Sequence, residues 1–94
     1  MILYHASPRP LPVGECLRTP TGASGMDVTA GGVVYLTGTP EACERYGTVY
    51  AIEVACAVPY AEQRRRQGLP AKKGRYTRGV FVALPEHTII RRKI

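Results

Sequence analysis

Ninety-four residues make one domain's worth of chain, which excludes a multi-domain enzyme. A hydrophobic content of 45% is ordinary for a globular protein, and 21% charged residues set the chain apart from the disordered class. No apolar run approaches the length of a membrane-spanning helix, and the N-terminus lacks the basic and apolar regions of a secretory signal. The expected compartment is the cytoplasm.

The net charge of +6 is unevenly spread. Residues 1–61 hold three basic and five acidic side chains, a net of −2. Residues 62–94 hold ten basic and two acidic ones, a net of +8. Such a block suits an anionic partner, namely a nucleic acid, a pyrophosphate-bearing ligand or an acidic protein. It also suits a plain solvated basic face. Cys16, Cys43 and Cys56 form no C-x-x-C pair, and His5 and His87 do not fall at zinc-finger spacing from them. No metal is expected, and the thiols read as small buried groups.

In chain order, Ile2 to Ala6 reads as a first strand. Pro8, Pro10 and Pro12 exclude a central strand or helix over residues 7–12, and Val13-Gly14-Glu15 marks a turn. Residues 20–32 are rich in Gly, Thr and Ser and read as a loop that can lie over a pocket. Val33 to Thr37 is a second strand. A helix is expected from Thr39 as N-cap and Pro40 at its first position to Gly47 as a left-handed stop. Thr48 to Val58 is the clearest strand, with Tyr50, Ile52, Val54, Cys56 and Val58 on one face. Residues 59–78 have loop composition, with two helical turns available over Tyr60 to Gln67. Gly79 to Leu84 is another strand, Pro85-Glu86-His87 turns the chain, and Thr88 to Arg91 pairs back or runs on. The reading is a single α+β or mainly β domain over residues 1–94.

Leu3-Tyr4-His5-Ala6-Ser7 and Leu11-Pro12-Val13-Gly14-Glu15-Cys16-Leu17 resemble the opening strand and following segment of ADP-ribosyltransferases, most closely the rifampin ADP-ribosyltransferase family. Val34-Tyr35-Leu36-Thr37 looks like that family's second strand, which carries its active-site tyrosine. Val49-Tyr50-Ala51-Ile52-Glu53 looks like the next strand, and residues 69–78 are similar to a basic Pro-Gly-rich stretch ending in Tyr-Arg. The resemblance covers most of residues 3–84. It implies a small split β-sheet domain with one or two short helices.

It also implies NAD as substrate, cleaved at the nicotinamide–ribose bond, with ADP-ribose passing to an acceptor. The acceptor is left open among a small hydroxylated molecule, a nucleic acid and a protein. On this resemblance His5 would bond a ribose hydroxyl, and Tyr35 would stack on nicotinamide. Glu62 would be the acid beside the developing positive charge. Ala6, Ser7, Gly14, Thr37 and Tyr46 would border the dinucleotide, and Arg75 and Arg78 would hold its pyrophosphate. Arg64, Arg65 and Arg66 are the candidate contacts for a further anionic partner, nucleic acid or acidic protein. The alternative is a non-catalytic domain of the same fold, a binding or inhibitor protein of phage or mobile-element type, using its basic C-terminal third.

Overall fold

The computed structural model describes residues 1–18, 32–66, 68 and 79–94. Six strands, β1 (Ile2–Ser7), β2 (Val34–Thr37), β3 (Thr48–Val54), β4 (Val58–Pro59), β5 (Val80–Ala83) and β6 (Thr88–Lys93), join in one antiparallel sheet. Their spatial order is β4-β5-β2-β1-β3-β6. One helix, α1 (Tyr60–Arg66), packs on the β4-β5 end. No helix among the described residues is long and apolar enough to cross a membrane.

The sheet is far from uniform. β1 and β3 pair along six residues, from Ile2 opposite Glu53 to Ser7 opposite Thr48. β2 and β5 pair along four, from Val34 opposite Ala83 to Thr37 opposite Val80. Between β1 and β2 the register holds at one position, Tyr4 opposite Thr37. The sheet is therefore two three-stranded halves, β4-β5-β2 and β1-β3-β6, hinged at its centre.

Chain geometry shows how the halves sit. Across a flat sheet, β3 and β4 would lie four strand spacings apart, roughly 19 Å. The four steps from Val54 to Val58 can cover at most about 14 Å. The halves must fold towards each other, and the core lies between them. Leu3, Tyr50, Ile52, Val54 and Ile90 come from one half, and Val34, Leu36 and Ala83 from the other. Period-2 alternation explains the choice, since register places Leu3, Ile52 and Ile90 side by side on one face.

Both outer edges are protected. β4 is two residues long and ends in Pro59, a poor template for a further strand. The outer edge of β6 is covered where Gly14 N–H donates to the Ile90 carbonyl (2.7 Å) and Ile90 N–H to the Glu15 carbonyl (2.8 Å).

Two expected elements take a different form. The helix from Thr39 to Gly47 is a pair of 3₁₀ turns, Pro40–Ala42 and Glu44–Tyr46, meeting at Cys43. Cys43 is buried and sits at φ −121°, ψ −1°, outside helical values, so anchoring it breaks the helix in two. Thr39 makes no side-chain cap, and Thr37 Oγ1 donates to the Thr39 carbonyl instead. The long strand over 48–58 stops at Val54, where Ala55 N–H turns to the His87 carbonyl (2.9 Å) and the chain crosses to the opposite edge. Cys56 is consequently exposed, as is Cys16, and only Cys43 of the three thiols is buried.

Gly47 is required for a reason other than a helix stop. Its φ of +139° lies in glycine territory but away from the left-handed helical region. A Cβ there would fall on the Ser7 carbonyl and 2.8 Å from Pro8 N. Only glycine lets β3 start flush against the end of β1. Gly47→Ala adds backbone strain to this overlap, and should cost roughly 2–4 kcal/mol of stability. Urea unfolding should show the midpoint falling at constant slope.

Candidate functional site

Past Tyr4 and Thr37, the strands β1 and β2 diverge towards Ser7 and Val34. A part-buried carbonyl in such a gap needs a donor that the neighbouring strand no longer supplies. His5 supplies it: Nδ1 lies 2.8 Å from the Tyr35 carbonyl oxygen. Because a carbonyl can only accept, Nδ1 carries the proton. Burial lowers the pKa of His5 from its ordinary value, and the hydrogen bond to Tyr35 offsets part of that shift. His5 is therefore neutral at pH 7, with Nε2 as an unprotonated acceptor that has no partner among the described residues.

The chain after β1 roofs this gap. Proline excludes it from the sheet, so it crosses the core face as a strap, stitched down at successive points. Leu11 N–H donates to the Tyr50 hydroxyl (3.1 Å), and residues 14 and 15 bond the β6 edge. Leu17 N–H donates to Thr88 Oγ1 (2.9 Å), which itself donates to the Pro85 carbonyl (2.6 Å). Thr88 is wholly buried and Leu17 nearly so. Under the strap lies a cavity of about 230 Å³. β1 contributes His5 and Ser7 to its wall, β2 contributes Val34 and Tyr35, and the strap contributes Cys16, Leu17 and Arg18.

Three of the residues expected to carry function meet here, His5, Ser7 and Tyr35. The Ser7 hydroxyl accepts from Arg9 N–H (3.2 Å). The Tyr35 ring meets Tyr60 edge-on, with centroids 5.6 Å apart. The other expected residues lie elsewhere. Ala6 is within the β1–β3 ladder opposite Val49. Gly14 spends its N–H on Ile90, and Thr37 its hydroxyl proton on Thr39. Tyr46 is exposed, with the Arg45 guanidinium 5.6 Å from its ring centroid.

Glu62 does not line the cavity. It stands in the first turn of α1, with Oε1 2.8 Å from Arg66 Nη2. That spacing of four residues is the ordinary helical ion pair, worth a few tenths of a kcal/mol at such exposure (about 0.3–0.5). Arg65 is exposed on the same helix, and Arg64 is described by its backbone alone. Arg75, Arg78 and the rest of residues 69–78 lie outside the described residues, as does most of the expected 20–32 loop.

The sequence reading missed Cys16, Leu17 and Arg18 as wall residues. The available signal was weak: Leu17 is an apolar residue in a proline- and glycine-rich stretch, and Arg18 the lone cation between Arg9 and Arg45. Comparison with known protein families, with curated proteins and with solved structures finds no match to this chain.

Proposed function

We propose that this chain binds the nicotinamide riboside end of NAD in the cavity beneath the strap and transfers ADP-ribose to an acceptor. The observation that carries the reading is the neutral His5, held by the Tyr35 carbonyl with Nε2 left as an acceptor, in one cavity with Tyr35. An unprotonated Nε2 takes the hydrogen of a ribose hydroxyl, and this reading assigns the contact with the base to Tyr35, which also borders the cavity. A volume of about 230 Å³ is below the range of pockets that enclose a whole drug-sized ligand, roughly 300–1,000 Å³, so one end of a dinucleotide enters and the rest lies outside.

In the reaction the C1′–N bond to nicotinamide breaks, and nicotinamide leaves with the electron pair. Positive charge develops on the ribose ring. The acceptor's nucleophilic oxygen or nitrogen then bonds C1′ and gives up its proton. Glu62 is the carboxylate this reading assigns to the ribose cation, and it reaches that role by exchanging Arg66 for substrate. The acceptor is a small hydroxylated molecule, a nucleic acid or a protein, and exposed Arg65 is available to an anionic one.

The Glu62–Arg66 pair favours a second reading, a domain of this shape that binds but does not catalyse, as an inhibitor or adaptor from a phage or mobile element would. A carboxylate already paired on a helix surface is poorly placed to serve a cavity that it does not line.

Calorimetry and nicotinamide release separate these readings. NAD should bind, and Tyr35→Ala should weaken it by roughly 1–3 kcal/mol. No heat and no NMR shifts at millimolar NAD would defeat the transferase reading. Glu62→Gln should leave NAD affinity nearly unchanged and lower nicotinamide release by about 10² or more. Full activity in Glu62→Gln would return that residue to the surface, and binding without release in the parent protein would select the second reading.

The burial of His5 also sets a pH dependence. The folded pKa lies below the unfolded value of about 6.5, so between the two the unfolded chain binds more protons. The stability contributed by neutral His5 is complete above pH 6.5 and is lost as pH falls through the folded pKa. Urea midpoints of the parent protein should therefore drop from pH 7 to pH 5 more steeply than those of His5→Asn. Equal slopes would show that His5 is not held neutral in the fold.

A further inference from the structure

Among the described residues, Arg18 is the one permanently charged residue in the cavity wall, and no carboxylate is among them there. It makes no ion pair and no side-chain hydrogen bond among the described residues, so its guanidinium donors are open to a ligand. Its backbone position is not left to chance. The preceding residue, Leu17, is buried and tied to Thr88 Oγ1, and Thr88 is in turn tied to the Pro85 carbonyl. A cation on an exposed strap is thereby anchored to the core of the β6 half. The remaining wall is largely apolar, with Leu11, Leu17, Val34 and Ile90. Such walls focus the field of a single charge.

We propose that Arg18 makes this cavity selective for a phosphorylated ribose over the unphosphorylated riboside. His5 Nε2 accepts from a ribose hydroxyl, and Arg18 donates to the phosphate on the same sugar. The inference rests on the NAD reading for the identity of the base but not for the phosphate. The required chemistry, a ribose bearing a phosphate ester, is also offered by a mononucleotide such as AMP. The pyrophosphate contact expected at Arg75 and Arg78 thus has a counterpart on the opposite side of the sequence, in the strap.

The test is titration of the full chain with NAD, nicotinamide mononucleotide, AMP and nicotinamide riboside, in the parent protein and in Arg18→Gln and Arg18→Lys. The parent protein should bind the mononucleotide about tenfold or more tightly than the riboside, a charge-assisted pair being the difference. Arg18→Gln should abolish that preference with the riboside affinity unchanged, and Arg18→Lys should keep part of it. Raising salt should reduce the preference in the parent protein and what remains of it in Arg18→Lys. Equal affinity for mononucleotide and riboside in the parent protein overturns the proposal without recourse to any variant. So does Arg18→Gln that binds the mononucleotide as tightly as before, and either result leaves the NAD reading standing. AMP bound with no affinity for NAD or nicotinamide mononucleotide upholds the phosphate role and defeats the NAD reading. Binding of none of the four ligands overturns both.

Discussion

A sheet that pairs at only one residue across its middle must replace the missing ladder with something else, and here a histidine does it. Tyr4 opposite Thr37 is the last shared register between the halves, and beyond it the Tyr35 carbonyl would face a gap. The His5 Nδ1–H fills that need at 2.8 Å. The bond is part-buried, and a typical intramolecular hydrogen bond contributes about 0.5–1.5 kcal/mol, so it is worth keeping on structural grounds alone. It has a chemical consequence as well. Committing Nδ1 to a carbonyl determines the tautomer and leaves Nε2 as an acceptor on a residue that lines the cavity. Structure and site share one hydrogen bond, which is why the histidine cannot be assigned wholly to either.

The strap depends on the same opening. With the halves folded towards each other, the core face between them needs a cover, and a proline-rich segment cannot add a strand to provide it. It is instead fastened by isolated bonds to Tyr50, Ile90 and Thr88, each from a different point on the β1-β3-β6 half. Fastening at points rather than along a ladder leaves space between, and the cavity is that space. Tyr50 illustrates the economy of the arrangement: its ring fills the core while its hydroxyl accepts the Leu11 N–H.

Alternation made the strands legible from sequence. Val34 and Leu36, Tyr50 to Val54, and Val82 announced their elements by period and β-branching, and the structure places strands there. The 3₁₀ turns at 40–46 were hidden because capping residues and an acidic first turn signal any helical start, whereas burial of Cys43 is a tertiary event. The stop at Val54 was hidden likewise, since the apolar alternation runs on through Cys56 and Val58 while Ala55 leaves the ladder for His87. His5 and Tyr35, singled out from sequence by a family resemblance, both border the cavity. Arg18 was not singled out, because its position depends on Leu17 finding Thr88, 71 residues away. Contacts of that sequence separation leave no local pattern to read.

Charge shows the same division between what composition conveys and what folding decides. Ten of the thirteen basic residues lie in 62–94, and composition alone would put the anion site there. Yet none of the described ones lines the cavity: Arg65 and Arg66 stand on α1, and Arg91, Arg92 and Lys93 are exposed on β6. Among the described residues, the cation that does reach the wall, Arg18, belongs to residues 1–61, whose net charge is negative. The two groups act over different distances. Exposed cations attract any anion through a field that physiological salt screens over about 8–10 Å, and that attraction does not choose among anions. A guanidinium at an apolar wall acts within hydrogen-bonding distance and responds to where the phosphate sits on the ligand. On the reading proposed above, selectivity in this cavity follows from the anchoring of one strap residue to Thr88, and the positive charge elsewhere bears on encounter alone.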